Sequence, residues 1–154
     1  MRTLIQLTLI LFCLTTTVLA QNSESKAVSD FLNSFHRAGA QSDESYFDHF
    51  APDGVYLGTD ATERWNLEEF RAYLAPYFKK GKGLEFTPGS RQVLFSSDGS
   101  VAWFDESLSS ESMGDLRGTG VLVKLDGRWR VSQYHLTIPI PNALLGDVLK
   151  VIKE

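Results

Sequence analysis

The chain reads as an α+β protein in which helices come first and an antiparallel sheet follows. Two observations predict this. Apolar residues recur at helical spacing in the first half, at Val28, Phe31, Leu32 and Phe35 and again at Leu67, Phe70 and Leu74. From Leu84 onward the apolar runs are short, rich in β-branched residues, and joined by tight turns. Asp126-Gly127 lies between two such runs, the strongest local signal for a β-hairpin. Hairpins in place of helical crossovers separate α+β from α/β.

The first twenty residues stand apart from the fold. Arg2 supplies a basic start, Leu4 to Leu14 an apolar core, and Thr15 to Ala20 a small-residue exit, which together read as a secretory signal peptide cut after Ala20. An apolar run of roughly 11 residues is well short of the ~20 that span a bilayer, so no membrane anchor is expected once the leader is removed. Residues 21–154 are then expected to be secreted or periplasmic. The single cysteine, Cys13, falls in the leader, which leaves the mature part no internal disulfide, thiol nucleophile or thiolate metal site. Without Arg2 the remaining 14 basic and 19 acidic residues give a net charge of −5, a sign that disfavours nucleic acid or anionic lipid as a partner. At 134 residues the mature part suits one domain with an ordinary apolar core.

Each element has its own signal. The first helix begins near Ser23 and stops at Gly39, with His36 in a last turn where the helix dipole favours a cation. Ser42 is expected to cap a short second helix that turns Phe47 and Phe50 inward. Ala51-Pro52-Asp53-Gly54 predicts a turn and Val55 to Gly58 a short strand. Asn66 and Glu69 have capping-box spacing at the head of a third helix, which Pro76 kinks or closes and Gly81 ends. Leu84 to Phe95, holding Pro88-Gly89, predicts a bent or bulged edge strand. Strands follow at Val101 to Leu108, Arg117 to Leu125 and Trp129 to Ile138, with a loop at Ser109 to Asp115. Beyond Pro139 and Pro141, Asn142 opens a last helix (142–153) with Leu145, Val148, Leu149 and Ile152 at core spacing. That helix has three destinations open to it: the sheet, a cavity mouth or another subunit.

Alternation divides each strand between two faces. Val101, Trp103, Asp105 and Ser107 share one, and Ala102, Phe104, Glu106 and Leu108 the other. Strict alternation sets Trp129, Val131, Gln133, His135 and Thr137 opposite Arg130, Ser132, Tyr134 and Leu136. No face is cleanly polar, so both sides of the sheet are expected to be at least partly covered. Asp105, embedded among apolar neighbours, reads either as a carboxylate paired with a core Arg or as a general acid/base in a pocket. His135 reads as a proton carrier or as a hydrogen-bonded structural residue. Asp60 and Glu63 sit in a loop able to reach a pocket mouth or simply to cap a turn. Arg117 suits an anionic ligand group or a carboxylate partner. No spacing matches a metal site, a phosphate-binding loop or a nucleophile elbow, and no cofactor is implied.

The segments FAPDGVYLGTDATERW, NLEEFRAYLAPYF, VAWFDESL and RGTGVLVKLDGRWRVSQYHLTIPIPN, in that order, resemble a SnoaL-like domain of the nuclear-transport-factor-2-like superfamily over about residues 26–142. The resemblance implies a cystatin-like α+β cone, a strongly curved antiparallel sheet wrapped around helices with a cavity on its concave side, and homodimers formed through the sheet. It implies a small organic ligand. Some relatives are isomerases, dehydratases or cyclases using an Asp or an Asp-His pair, and others bind ligands or assemble complexes. Carried onto this chain, it aims Trp103, Asp105 and Tyr134 into the cavity, with Tyr56, Asp60 and Trp65 near its wall and His135 on the sheet-packing face. Three functions are thereby expected in competition. One is an exported small-molecule-binding protein. Another is a lyase or isomerase with Asp105 as acid/base and Tyr134 as oxyanion donor, although no second inward acid faces Asp105. The last is an assembly module acting through the sheet.

Overall fold

The computed structural model describes residues 22–153, and the expected signal peptide at 1–20 lies outside the described residues. Helix α1 (22–40) buries Val28, Leu32, Phe35 and His36. A short 3-10 helix (Glu44–His49) follows, with Tyr46 and Phe47 buried. Its cap is Asp43, whose side chain accepts from the Ser45 amide, and not Ser42, which takes a left-handed turn conformation (φ 56°) one residue earlier.

Strand β1 (Phe50–Leu57) absorbs the expected turn at Ala51 to Gly54 as an irregularity, because its pairing register shifts between Phe50 and Val55. Pro52 lies in this gap, where no ladder donor is required of it. After β2 (Arg64–Asn66) comes α2 (Leu67–Phe78), which starts at a complete Asn66/Glu69 capping box and holds Pro76 close to its end. Four long strands complete the chain: β3 (Thr87–Phe95), β4 (Val101–Ser110), β5 (Gly114–Leu125) and β6 (Arg128–Thr137). The loop expected at Ser109 to Asp115 contracts to a turn at residues 111–113.

The six strands form one curved, unclosed sheet in the order β2-β1-β6-β5-β4-β3. All pairs are antiparallel except β1 and β6, which run parallel. The bulge expected near Pro88-Gly89 is present in edge strand β3, between Pro88 and Arg91. A second bulge has larger consequences. Val121 pairs with Gln133 but Leu122 pairs with Val131, so Ser132 is an extra residue in β6. Parity therefore changes at Ser132, and Trp129, Val131, Tyr134 and Leu136 all point into the core.

Helices α1, α2 and the 3-10 helix fill the concave side with a cluster dominated by aromatic rings. The convex side carries exposed Leu94 and Trp103. Past a 3-10 turn at Asn142–Leu144, helix α3 (Leu145–Ile152) buries none of its residues, and Asn142 makes no capping bond to it. No described helix is long and apolar enough to cross a membrane.

Candidate functional site

Two polar side chains are buried among the described residues, His36 on α1 and Glu106 on β4, and they touch. His36 Nε2 lies 2.7 Å from Glu106 Oε1, and Tyr134 Oη donates to the same oxygen at 3.1 Å. The other oxygen, Oε2, accepts from Arg91 Nε (2.8 Å) and Nη2 (2.6 Å), a bidentate fork from the edge strand β3. Arg91 is itself tied to α1 through Nη1, which donates to the Ser29 carbonyl (3.1 Å) and to Asn33 Oδ1 (3.2 Å). The network thus locks the first helix to three strands of the sheet.

Sequence and register explain why it forms here. Glu106 pairs laterally with Arg91 on one side and Gly118 on the other, while Tyr134 pairs with Gly120. The ring of Tyr134 reaches Glu106 by lying across Gly118. A Cβ on Gly118 would come within 2.3 Å of the Tyr134 hydroxyl and 3.0 Å of Glu106 Oε1. Gly120 performs the same service for Phe104, whose ring would meet a Cβ at 2.8 Å. The segment RGTGVL is therefore a clearance for inward aromatic rings.

Electrostatics follow from the geometry. Burial pushes the Glu106 carboxyl up, but the hydrogen bond and charge of His36 and the charge and hydrogen bonds of Arg91 outweigh it and hold the group below its ordinary value. Glu106 is accordingly an ionised acceptor, which requires His36 Nε2 to carry a proton. His36 borders both an interior void and a surface cleft, so the side of the ring away from Glu106 faces these spaces. Burial, then the negative charge of Glu106, drives the Tyr134 hydroxyl well above its usual range and keeps it a donor. Burial, then Glu63, raises Tyr56 likewise.

Above the network the concave side is nearly full. Phe35, His36, Gly39, Tyr46, Tyr56, Leu84, Phe86 and Tyr134 enclose a void of about 10 Å³, room for one water at most. Tyr56 and Tyr134 stack there with ring centres 5.6 Å apart. Two surface clefts lie outside the void, one of about 340 Å³ lined by Asn33, His36, Arg37 and Pro88, the other of about 480 Å³ lined by residues 81–86 and 110–113. Phe86 borders all three spaces.

The residues expected from sequence separate into groups. Tyr56 and Tyr134 do face this interior. Asp105 and Trp103 do not: both are exposed on the convex face, because β4 turns Ala102, Phe104, Glu106 and Leu108 inward. His135 is also on that face, its Nε2 3.5 Å from Thr137 Oγ1, and Arg117 lines a convex cleft with Asp105, Ser107 and Pro139. Asp60 accepts from the Thr62 amide and hydroxyl, and Glu63 accepts from the Asp60 amide, so both serve the β1–β2 turn. Trp65 lies behind Tyr56, stacked on Tyr73 and Phe70. The sequence reading missed Glu106, Arg91 and the inward role of His36. The available signal was the face Ala102, Phe104, Glu106, Leu108, where one acid stands among three apolar residues opposite two glycines.

Residues 28–141 match the SnoaL-like domain family, which is most of the chain. The chain belongs to the SnoaL-like domain family. Solved structures with the SnoaL-like chain's fold include a nuclear-transport-factor-2-like protein of unknown function from Pseudomonas putida KT2440, 18% identical, covering 79% of this chain and 90% of that one with a TM-score of 0.65. An uncharacterised protein with a cystatin-like fold from Caulobacter vibrioides is 20% identical over 83% of this chain and 99% of its own, with a TM-score of 0.61. A proposed scytalone dehydratase from Novosphingobium aromaticivorans DSM 12444 is 13% identical over 78% and 87%, with a TM-score of 0.65. At these identities the likeness is one of fold. A search of curated proteins finds no match.

Proposed function

We propose that this SnoaL-like protein binds a small, largely apolar organic molecule at the open end of its cone, against His36, Tyr56 and Tyr134. The observation that carries the reading is His36, a buried imidazole held by Glu106 at one nitrogen and bordering both the aromatic void and a surface cleft. Such an arrangement presents one polar atom amid aromatic walls, the usual composition of a small-ligand site. Room for the ligand comes from displacing Leu84 and Phe86, which join the void to clefts of a few hundred Å³, the scale of such pockets. Export of the mature part, inferred from residues 1–20, would make the ligand an extracellular or periplasmic one.

Acid–base catalysis is a second reading, favoured by the Glu106–His36 pair. Glu106 fixes the tautomer of His36, so Nδ1 would take the proton from a bound substrate, as a lyase or isomerase requires. Asp105 no longer fits that role from the convex face. One structural neighbour of the same fold is described as a proposed scytalone dehydratase.

A panel of small aromatic and alicyclic compounds, screened by thermal shift and intrinsic fluorescence, tests the binding proposal. A binder is expected whose effect changes with Phe86→Ala and Tyr56→Phe and stays constant with Asp105→Asn. Silence across the panel in both the parent and Phe86→Ala would sink it.

A further inference from the structure

Phe86 borders the aromatic void and two clefts of unlike chemistry. The larger cleft, of about 480 Å³, holds Lys82 together with Glu85 and Glu111, so its charges offset one another. The other, of about 340 Å³, is lined by Arg37, His36, Asn33 and Thr87 and by no carboxylate among the described residues. In a chain with 19 acids against 15 bases, such a cleft is a local excess of positive charge.

Its donors are not engaged elsewhere. Arg37 is exposed, and its guanidinium makes no hydrogen bond or ion pair among the described residues. Arg91, by contrast, commits its nitrogens to Glu106, the Ser29 carbonyl and Asn33 Oδ1. Because an arginine can only donate, Asn33 meets Arg91 with its oxygen, and its amide NH2 is the uncommitted end. The Thr87 hydroxyl is likewise unpaired among the described residues. The ordinary role of an arginine in the last turn of a helix is to complement free carbonyls. Here the carbonyls of Arg37, Ala38 and Gly39 already accept from the amides of Gln41, Asp43 and Leu84. Donors without an anionic partner are complementary to an anion, and a guanidinium matches the two oxygens of a carboxylate.

We propose that the ligand is an organic acid, its carboxylate held by Arg37 in this cleft and its apolar body lying against Tyr56 and Tyr134. The inference rests on the small-molecule site proposed for the cone and narrows its occupant to a chemical class. His36 and Phe86 border the cleft and the void alike, so one aromatic or alicyclic acid reaches both once the Phe86 ring moves aside. The buried carboxylate of Glu106 does not oppose the ligand's charge. Its Oε2 is held by the Arg91 fork and its Oε1 by His36 and Tyr134, so its charge is matched within the protein.

Calorimetric titration of residues 21–154 with cyclohexanecarboxylate and 1-naphthoate, each beside its primary amide, tests the class. The amides keep the shape and lose the charge. Each acid is expected to bind about tenfold or more tightly than its amide. Arg37→Gln, at an exposed helical position, should remove that preference and leave the affinity for the amides as it is, whereas Lys82→Gln should leave the preference intact. Equal affinity for acid and amide, or a preference that survives Arg37→Gln, would overturn the acid proposal while the site itself stands. No heat from any of the four compounds, with the parent or with Phe86→Ala, would overturn the site and this proposal with it.

Discussion

His36 and Glu106 lie 70 residues apart in the chain and 2.7 Å apart in space, joined at the point where the first helix crosses the fourth strand. Replacing Glu106 by Gln leaves Arg91 and His36 without their anion, and loss of one partner from a buried ion pair costs about 3–5 kcal/mol. Denaturant titration of Glu106→Gln at neutral pH is expected to show a loss of that order. A loss below about 1 kcal/mol would mean that the pair acts like an exposed one.

The same carboxylate sets a pH dependence. Its value in the folded protein is below the ordinary 4.5, so its contribution to stability is fully present above that pH. The contribution disappears as pH falls through the lowered folded value. Stability measured from neutral pH downward should therefore decline more steeply below about pH 4.5 in the parent than in Glu106→Gln. Parallel curves would contradict the assignment.

Gly118 is expected to tolerate no side chain. In Gly118→Ala the new methyl would occupy the place of the Tyr134 hydroxyl. Overpacking and the lost hydrogen bond should together cost about 1–3 kcal/mol, readable as a lowered unfolding midpoint. Tyr134→Phe in that background should recover part of the loss by shortening the ring. Additive losses would show that the two positions do not meet.

Asp105→Asn is the control on the convex face. With its side chain exposed, the substitution should change stability by no more than about 0.5 kcal/mol. It should also leave ligand-induced thermal shifts unaltered. A selective loss of binding in this variant would return the site to the outer side of the sheet.

Phe86→Ala removes the ring that borders the void and both clefts. Uptake of a small apolar fluorescent probe should increase in this variant, and Tyr56→Phe should change the probe's affinity. No gain of uptake would argue that Phe86 does not gate the interior.

The fold was legible because its local signals agree. The Asn66/Glu69 box, the Asp126-Gly127 turn and the helical period at Val28 to Phe35 each specify structure over a few residues. The site depends on strand parity, which a single inserted residue reverses. Ser132 is that residue in β6: it brings Tyr134 to the side of Trp129 and Val131 while turning Gln133 and His135 outward. In β4 no bulge intervenes, yet both faces mix an acid with an aromatic ring, so Asp105 and Glu106 were equivalent on pattern alone. The neighbours Gly118 and Gly120 distinguish them only once the pairing register is known. His36 looked like a dipole partner at a helix end because its true partner is remote in sequence. The parallel pairing of β1 with β6 was likewise invisible to local signals.

Contact between ligand and His36 is read most directly by a histidine-labelled NMR titration of residues 21–154 with compounds drawn from the aromatic and alicyclic panel. A binder should move the ring resonances of His36 and leave those of His135 in place. A compound that binds while His36 stays unmoved would contradict that contact.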